Sequence, residues 1–361
     1  MRPVVFVSLF WLSLLAIVLS RFIFELKSLK LLYEQCAKQI ISRSEMGRQS
    51  AAILKVFDGG RLGISDSSLL LERISRPEHA HLLFEEGVGG AKQSRGAKQS
   101  REGGSSLFID IGANLGATSK AMIDACTRLG ILCEIVAFEP SLETFKALES
   151  RASLLKWEIH GWRLMRKAVS DPGSVGLRPF FSGGMAGDEQ ASLSKDASLG
   201  GNFSELVDVT TVDAVMDSLE IHQRSLNPLW LKIDAEGFDA SVLAGAHKTI
   251  SQNVFRFISF EYNVKWRYPG SSSTLKESIA MMSKNGYNCF FVTDEALVPL
   301  WGPWWHDDFE FYRWSNVVCV LECKKCKTSL STAIAQSFSS LEESSKVPPD
   351  PSEVKKCLMF V

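Results

Sequence analysis

Seven short apolar runs recur along the middle of the chain, and they predict the strands of one sheet. They lie at residues 107–111, 135–138, 164–169, 229–234, 255–261, 289–292 and 316–321. Each is short and rich in Val, Ile, Leu or Phe, as buried strands are. Helical patterns fill most of the gaps between them. This alternation predicts an α/β fold with a doubly wound, mostly parallel sheet.

One stretch interrupts the alternation. Residues 182–204 are rich in Gly, Ser and Asp and lie between two β-like runs. A loop of this length is usually either functional or disordered.

The N-terminal apolar run is too long for a strand. Residues 4–20 are uncharged, and a helix of this length would span about 26 Å, close to the thickness of the endoplasmic reticulum membrane. After a short tail (1–3), we therefore predict a transmembrane signal anchor at 4–20. A cleaved signal peptide is the alternative, with Val18 and Ser20 before the cut. Basic residues flank both ends, so charge does not fix the orientation.

The segments on either side of the predicted domain have little capacity to form a core. Residues 21–104 are predicted to be a stem and low-complexity linker, in which the sequence GAKQSR of 90–95 is repeated at 96–101. Residues 323–361 are rich in Ser and Lys and predict a disordered tail. The catalytic domain is accordingly placed at 105–322.

Composition excludes some functions. The hydrophobic content of 45% suffices for one substantial core, and a net charge of −1 indicates no polyanionic partner, so nucleic acid is not an expected substrate. The eight cysteines are too scattered to predict a disulfide scaffold. The close pair Cys323 and Cys326 lacks the further ligands of a zinc site, and we expect it to be free or locally bridged.

The turn after the first predicted strand indicates a ligand. The run FIDIGANLG (108–116) places Asp110 before Gly112, Asn114 and Gly116. An acid there would repel the pyrophosphate of a dinucleotide but suits an ammonium group. S-adenosylmethionine has an ammonium, a sulfonium and a ribose but no phosphate, so we assign these four residues to its methionine end. The alternative is that the glycines only form a tight turn and Asp110 caps the next helix.

Two further acids are assigned to the same cofactor. Glu139 ends the second predicted strand in VAFEP, where a carboxylate accepts hydrogen bonds from ribose hydroxyls. Asp171 follows the third strand in AVSD and is assigned to the adenine amino group. An equally open alternative is that Asp171 caps a turn before Pro172.

A third motif gives the family. LWLKIDAEGFDASVLAGA (229–246) follows FIDIGANLG and AFEP, and this order resembles the FkbM family of S-adenosylmethionine-dependent methyltransferases over about residues 105–322. The resemblance implies a class I, Rossmann-like fold with seven strands, the last antiparallel. It also implies a transferase of the EC 2.1.1 type. Asp239 stands where the family more often has glutamate.

Acids at the carboxyl ends of the later strands are the catalytic candidates. Neighbouring carboxylates raise one another's pKa, so Asp234 and Glu236 are a candidate base or substrate-orienting pair, with Glu261 beside them. We predict a metal-free site. A divalent cation with Glu261 as third ligand is the alternative, and Glu236 would have no catalytic role if it only caps the next helix.

An aromatic segment near the end of the domain has two interpretations. WGPWWHDDFEFYRW (301–314) could form an apolar wall for a sugar, with polar contacts from His306 and Asp307. Alternatively, these rings cover an edge of the sheet.

Together these features predict an S-adenosylmethionine-dependent O-methyltransferase that acts on a hydroxyl of a glycan or other small polyhydroxylated acceptor. Anchors on eukaryotic members of the family imply a single-pass protein of the endoplasmic reticulum or Golgi with a lumenal domain. The alternatives are a methyltransferase of lipids or secondary metabolites, and a protein that binds the cofactor or a glycan without turnover.

Overall fold

The computed structural model describes residues 104–322, apart from 199–200, 222, 269–272 and 293–296. The predicted anchor at 4–20, the stem and linker up to 103, the tail at 323–361 and the pair Cys323 and Cys326 lie outside the described residues. Within the described part, no helix has the length and apolar character needed to cross a bilayer.

Strands and helices alternate through most of the described chain. The strands are β1 (Ser106–Ile111), β2 (Cys133–Phe138), β3 (Trp162–Met165), β4 (Ala168–Val169), β5 (Gly176–Ser182), β6 (Phe203–Thr210), β7 (Asn227–Ile233), β8 (Phe257–Tyr262), β9 (Tyr287–Val292), β10 (Leu297–Pro299) and β11 (Ser315–Leu321). The α-helices are α1 (Ala117–Leu129), α2 (Leu142–Leu154), α3 (Val212–Ser218), α4 (Asp239–Ala244), α5 (His247–Ser251) and α6 (Leu275–Lys284).

The main sheet confirms the predicted α/β class. Its eight strands run in the order β10-β9-β11-β8-β7-β1-β2-β3. The five strands from β8 to β3 pair in parallel, whereas β11 is antiparallel to both of its neighbours, β8 and β9. The predicted number of seven strands is wrong by one. The additional strand β10 has only three residues, which is too few for an apolar pattern to reveal.

One predicted strand is divided between two sheets. The run 164–169 contains the end of β3 and all of β4, with Arg166 and Lys167 between them. Strand β3 lies at the edge of the main sheet, whereas β4 joins a second sheet of order β4-β6-β5. This small sheet was not predicted, although the β-like runs on either side of 182–204 are its strands β5 and β6.

The centre of the main sheet is the most buried part of the domain. Every residue of β1, β8 and β11 is buried, which explains why these strands read as continuous apolar runs rather than as alternating ones. The chain order moves outward from β1 to β3 and then returns to β7 on the other side of β1. The carboxyl ends of β1 and β7 therefore form the topological switch point, where ligands bind in such sheets.

Two disulfides correct the expectation from the cysteine pattern. Cys126 in α1 is bonded to Cys133 in β2, and Cys289 in β9 is bonded to Cys319 in β11. No cysteine of the described residues is free. The second pair is separated by 30 residues and becomes adjacent only because β11 inserts beside β9, so the spacing along the chain gives no signal for it.

Candidate active site

A cleft opens at the switch point between β1 and β7. Its empty space, counted together with the open solvent at its mouth, is about 600 Å³. Five segments line it: the turn after β1, the end of β2, residues 167–169, β5 with the loop after it, and residues 234–236. Three of these segments carry motifs singled out in the sequence, so the tertiary fold brings those motifs to one place.

The turn after β1 is held in a conformation that requires its particular residues. Gly112, Asn114 and Gly116 all have positive φ angles, of 72°, 48° and 82°, a region that glycine and asparagine adopt most readily. A Cβ at Gly112 would lie 1.8 Å from the backbone oxygen of Asp234. The turn therefore packs directly against the chain that leaves β7. Gly112 and Asn114 line the cleft, whereas Gly116 packs against α2.

Glu139 joins the ends of β1 and β2. Its Oε2 accepts a hydrogen bond from the backbone N–H of Asn114 at 3.0 Å, and its Oε1 accepts one from Ser141 at 2.9 Å. The side chain lines the cleft but is largely buried. Burial raises the pKa of Glu139 to about 7, against the lowering effect of these two backbone hydrogen bonds. The predicted contact with a ribose remains a prediction.

Asp110 is not among the residues that line the cleft, and its predicted contact with the cofactor remains a prediction. It is fully buried, its Oδ2 accepts a hydrogen bond from Ser119 at 2.7 Å, and its Oδ1 lies 3.3 Å from Lys232 Nζ. Lys232 also donates to the backbone oxygen of Gly112 at 2.9 Å. Lys232 thus lies between Asp110 and the turn, while Asp110 Oδ1 has no hydrogen-bond partner among the described residues.

Asp171 is a cap, which was the alternative interpretation. Its Oδ1 accepts a hydrogen bond from the backbone N–H of Gly173 at 2.8 Å, and its Oδ2 accepts one from the hydroxyl of Ser174 at 2.9 Å. These bonds close a single 3₁₀ turn after β4. The apolar wall of the cleft instead includes Val169 and Phe180, so the structure does not bring Asp171 into the cleft.

The three catalytic candidates do come together. One carboxylate oxygen of each of Asp234, Glu236 and Glu261 lies within 4.8 Å of those of the other two. Burial raises the pKa of Glu236 to about 8, and the charge of Asp234 adds to this rise. Burial also raises the pKa of Glu261 well above its usual range, with Asp234 and Glu236 adding to the effect. Asp234 and Glu236 line the cleft.

Two neighbours of this cluster were missed as site residues. Lys265, almost fully buried, forms an ion pair with Glu236 Oε2. Asp239 is fully buried, and its Oδ1 accepts a hydrogen bond from the backbone N–H of Glu261 at 3.0 Å. Burial raises the pKa of Asp239 to about 7, with Asp234 adding to the rise. For Lys265, the sequence indicated a place near the site only through its position, because this residue follows the carboxyl end of β8.

Glu236 does not cap the following helix. Helix α4 begins at Asp239, and the residue at its cap position is Phe238, which provides no side-chain hydrogen bond. Glu236 itself has a φ of 49° in the turn before Gly237, and its side chain is directed to Lys265. The turn conformation therefore presents Glu236 at the cleft.

The loop after β5 is held beside the cleft by two hydrogen bonds. The hydroxyl of Ser192 donates to the backbone oxygen of Glu236 at 3.0 Å, and the backbone N–H of Gly187 donates to the hydroxyl of Thr144 at 3.1 Å. Asp188 from this loop lines the cleft. The structure therefore places part of the predicted long loop, 182–204, over the site, which favours a functional interpretation.

The aromatic segment lies away from the cleft. Trp301 packs edge-on against Phe290 of β9 with ring centroids 4.7 Å apart, and the fully buried Phe309 packs against Phe291. No residue of 301–314 is among those that line the cleft. His306 accepts a hydrogen bond from the backbone of Asp308. The rings thus cover the β9 side of the sheet, and the sugar-wall interpretation is not supported.

Comparison with known proteins identifies the family. A family model described as the methyltransferase FkbM domain matches residues 110–289. The chain belongs to the FkbM methyltransferase family. A comparison with curated protein sequences found no significant match. The family assignment agrees with the order of the three sequence motifs and with the observed mostly parallel sheet.

Among solved structures, the chain is similar to a methyltransferase FkbM from Methylobacillus flagellatus KT, with 14% identity and a TM-score of 0.36 over 78% of this chain. This chain spans 59% of that protein's length. It is also similar to a precorrin-6y C5,15-methyltransferase from Geobacter metallireducens GS-15, with 10% identity, a TM-score of 0.30, and coverage of 61% of this chain and 83% of that one. A geranyl diphosphate methyltransferase in complex with SAM shows 14% identity, a TM-score of 0.26 and coverage of 60% and 77%.

In this FkbM domain the cleft has two chemically different sides. The first two motifs contribute the β1 turn and Glu139, and the third contributes Asp234 and Glu236. The cap at Asp171 and the buried pair of Asp110 and Lys232 are outside the cleft lining.

Proposed function

We propose that this chain is an S-adenosylmethionine-dependent O-methyltransferase that modifies a hydroxyl of a glycan or other small polyhydroxylated acceptor. The observation that supports it is the arrangement of one cleft. The glycine-rich β1 turn and Glu139 line one part of it, and Asp234 and Glu236 line the adjoining part. The family supplies the expectation of methyl transfer, and the cleft supplies the residues for it.

The residues on the β1 side fit the cofactor. Asn114 Oδ1 is buried and has no hydrogen-bond partner among the described residues, so it is an acceptor available to the ammonium group. Glu139 has further lone pairs for ribose hydroxyls beyond the two backbone bonds it accepts. Val169 and Phe180 offer an apolar surface for an adenine ring.

The acidic side fits an acceptor hydroxyl. When bound, S-adenosylmethionine would supply an electrophilic methyl group on a sulfonium. The protein's own task is then to align the acceptor oxygen and to receive its proton, which positioned carboxylates can do. Asp234 is suited to contact the acceptor because its side chain is 37% exposed, whereas Glu261 is almost fully buried and acts behind it.

The charge of the cleft favours a neutral acceptor rich in hydroxyl groups. Asp188, Asp234, Glu236 and Glu139 all line it, against Lys167. Carboxyl groups hydrogen-bond to several hydroxyls at once whether or not they are ionised, whereas those that are ionised would repel a phosphorylated or carboxylated acceptor. The acidic lining therefore supports a glycan acceptor. This support does not depend on the aromatic segment 301–314.

We also propose that the domain works in the lumen of the secretory pathway, held by the N-terminal segment as a single-pass anchor. The bonded pairs Cys126–Cys133 and Cys289–Cys319 support an oxidising compartment, since structural disulfides persist there and are rare in the cytosol. The uncharged run at 4–20 supports entry into that pathway.

The test uses the purified full chain. Calorimetry with S-adenosylmethionine measures cofactor binding, and transfer of a labelled methyl group to a panel of neutral mono- and oligosaccharides measures activity. We expect Asp234→Asn to bind the cofactor within about threefold of the wild-type Kd, because it lies on the acceptor side, and to lose about 100-fold or more in methyl transfer. Asp217→Asn, an exposed acid paired with Lys248, is the matched control and should behave as wild type.

Two results would contradict the proposal. Failure of the wild-type chain to bind S-adenosylmethionine, or tighter binding of a nicotinamide dinucleotide, would remove the methyltransferase assignment. Undiminished methyl transfer by Asp234→Asn would leave the cofactor assignment intact but would show that the acidic side is not the acceptor side.

A further inference from the structure

The start of β6 carries a three-residue pattern that the proposed activity does not use. Asn202, Phe203 and Ser204 have the spacing Asn-X-Ser with X other than proline, which is the acceptor pattern for N-linked glycosylation. No other asparagine of the amino-acid sequence has Ser or Thr two positions later. Because so short a pattern also arises by chance, its placement in the fold decides whether the asparagine is accessible to modification.

Asn202 lies at the surface, just beyond the strands of the small sheet. The ladder of β5 and β6 ends at the pair of Ser182 and Phe203, so Asn202 precedes the first paired residue of β6. Asn202, Phe203 and Ser204 are all exposed. The chain therefore enters the small sheet with the whole acceptor pattern accessible to solvent, which is where glycosylated asparagines are found.

The two side chains that the pattern requires are not engaged elsewhere. Among the described residues, the side chains of Asn202 and Ser204 form no hydrogen bond or ion pair. The buried Asn263, in contrast, donates to the carboxylate of Glu261 and accepts from the backbone N–H of Lys265. An oligosaccharide on Asn202 would therefore remove no hydrogen bond that holds the described fold, and Asn202 is not among the residues that line the cleft.

The adjoining surface of the small sheet has exposed apolar side chains. Side chains alternate between the two faces of β6, and Val207 and Val209 are buried on the inner face whereas Leu206 is 63% exposed on the outer face. Leu177 of β5, which pairs with Asp208, is 64% exposed on the same outer face. An N-linked oligosaccharide is a bulky, solubilising group, and one attached at the start of β6 would lie beside this apolar surface and shield it.

We propose that Asn202 is modified by an N-linked oligosaccharide. The proposal rests on the lumenal location given under the proposed function, which the two disulfides support. In the reaction, the amide nitrogen of Asn202 forms a bond to the anomeric carbon of an oligosaccharide carried on a lipid diphosphate. The bond between that carbon and the diphosphate oxygen breaks, the amide nitrogen loses one proton to the transferase, and the lipid diphosphate leaves. No oxidant or reductant takes part.

The experiment translates the full chain in a cell-free system supplied with sealed microsomes from the endoplasmic reticulum. Gel electrophoresis before and after treatment with a peptide N-glycosidase measures whether an oligosaccharide is attached. We expect a single upward shift of the wild-type band, which the glycosidase removes. Mass spectrometry of the released peptide should locate the change at Asn202, because the glycosidase hydrolyses the modified amide.

Variants localise the site. Asn202→Gln and Ser204→Ala should each abolish the shift, because the first displaces the acceptor amide and the second removes the hydroxyl that the pattern requires. Ser204→Thr keeps a hydroxyl at that position and should retain the shift. Asn227→Gln is the matched control, since Asn227 is also exposed but lies outside any such pattern, and it should behave as wild type.

Protease added outside the sealed microsomes separates the ways in which the proposal can fail. A protected wild-type chain without a shift would overturn the glycan site but leave the lumenal location intact. A domain that the protease degrades would overturn the lumenal location and the glycan with it. A shift that persists in Asn202→Gln would also overturn the assignment to this residue. None of these results bears on the methyltransferase function, which the binding of S-adenosylmethionine tests separately.

Discussion

Glu139 should make cofactor binding depend on pH. Burial raises its pKa from 4.5 to about 7, which corresponds to about 3 kcal/mol of differential stabilisation of the protonated form. Only the ionised carboxylate can accept hydrogen bonds from two ribose hydroxyls while it keeps those from the backbone N–H groups of Asn114 and Ser141. A proton therefore competes with the cofactor for this side chain.

The expected magnitude follows from that competition. Below a pKa of about 7, the apparent Kd for S-adenosylmethionine should rise by about tenfold for each pH unit, which amounts to about thirtyfold between about pH 8 and pH 5.5. Glu139→Gln cannot ionise, so its Kd should be weaker than that of the wild type at about pH 8 and nearly constant across the range. Glu143→Gln, on the exposed surface of α2, is the matched control.

The same group contributes to folding with a defined sign. The pKa of Glu139 in the folded protein is above that of the unfolded chain, so its contribution favours folding at low pH and is lost as the pH rises from about 4.5 to about 7. The wild type should therefore lose about 3 kcal/mol relative to Glu139→Gln over that interval. Calorimetric titrations and urea unfolding at several pH values check the two effects. A pH-independent wild-type Kd, or an equal slope in Glu139→Gln, would refute the reasoning.

Three other substitutions have distinct expected results. Gly112→Ala should destabilise the domain by more than about 3 kcal/mol in urea unfolding, because its Cβ would meet a backbone oxygen at 1.8 Å. Gly130→Ala, at a similar φ with open space around it, should cost only about 1 kcal/mol. Equal losses of stability in the two variants would contradict the packing argument. Removing the 30-residue disulfide with Cys289→Ala and Cys319→Ala should cost about 3–4 kcal/mol. Reductant should then lower the melting temperature less than in the wild type, because only Cys126–Cys133 is left to reduce among the described residues, and an undiminished reductant effect would show that Cys289–Cys319 does not carry the stabilisation. Asp171→Ala should change the Kd for S-adenosylmethionine by less than about threefold, since the residue caps a 3₁₀ turn outside the cleft lining, and a tenfold loss in calorimetry would restore its predicted contact with adenine.

The amino-acid sequence by itself determined the fold class, the strands of the central sheet and the motifs of the site. Buried parallel strands read as apolar runs because both of their faces are covered, and β1, β7 and β8 could be located for this reason. Gly112 and Asn114 were recognisable because few other residues adopt their backbone conformation. The acids Glu139, Asp234 and Glu236 all line the cleft, and the sequence indicated that they would lie together because the carboxyl ends of parallel strands share one edge of a sheet.

Only the tertiary structure decided which way each side chain faces and what it contacts. Asp110 was assigned to a ligand, but it is fully buried, and Lys232, from a distant part of the chain, lies 3.3 Å from its Oδ1. Asp171 faces its own turn, and Lys265 and Asp239 join the acids only because β8 lies beside β7. The physical reason is that local patterns fix backbone conformation, whereas charge balance and hydrogen-bond partners depend on contacts between segments that are distant along the chain.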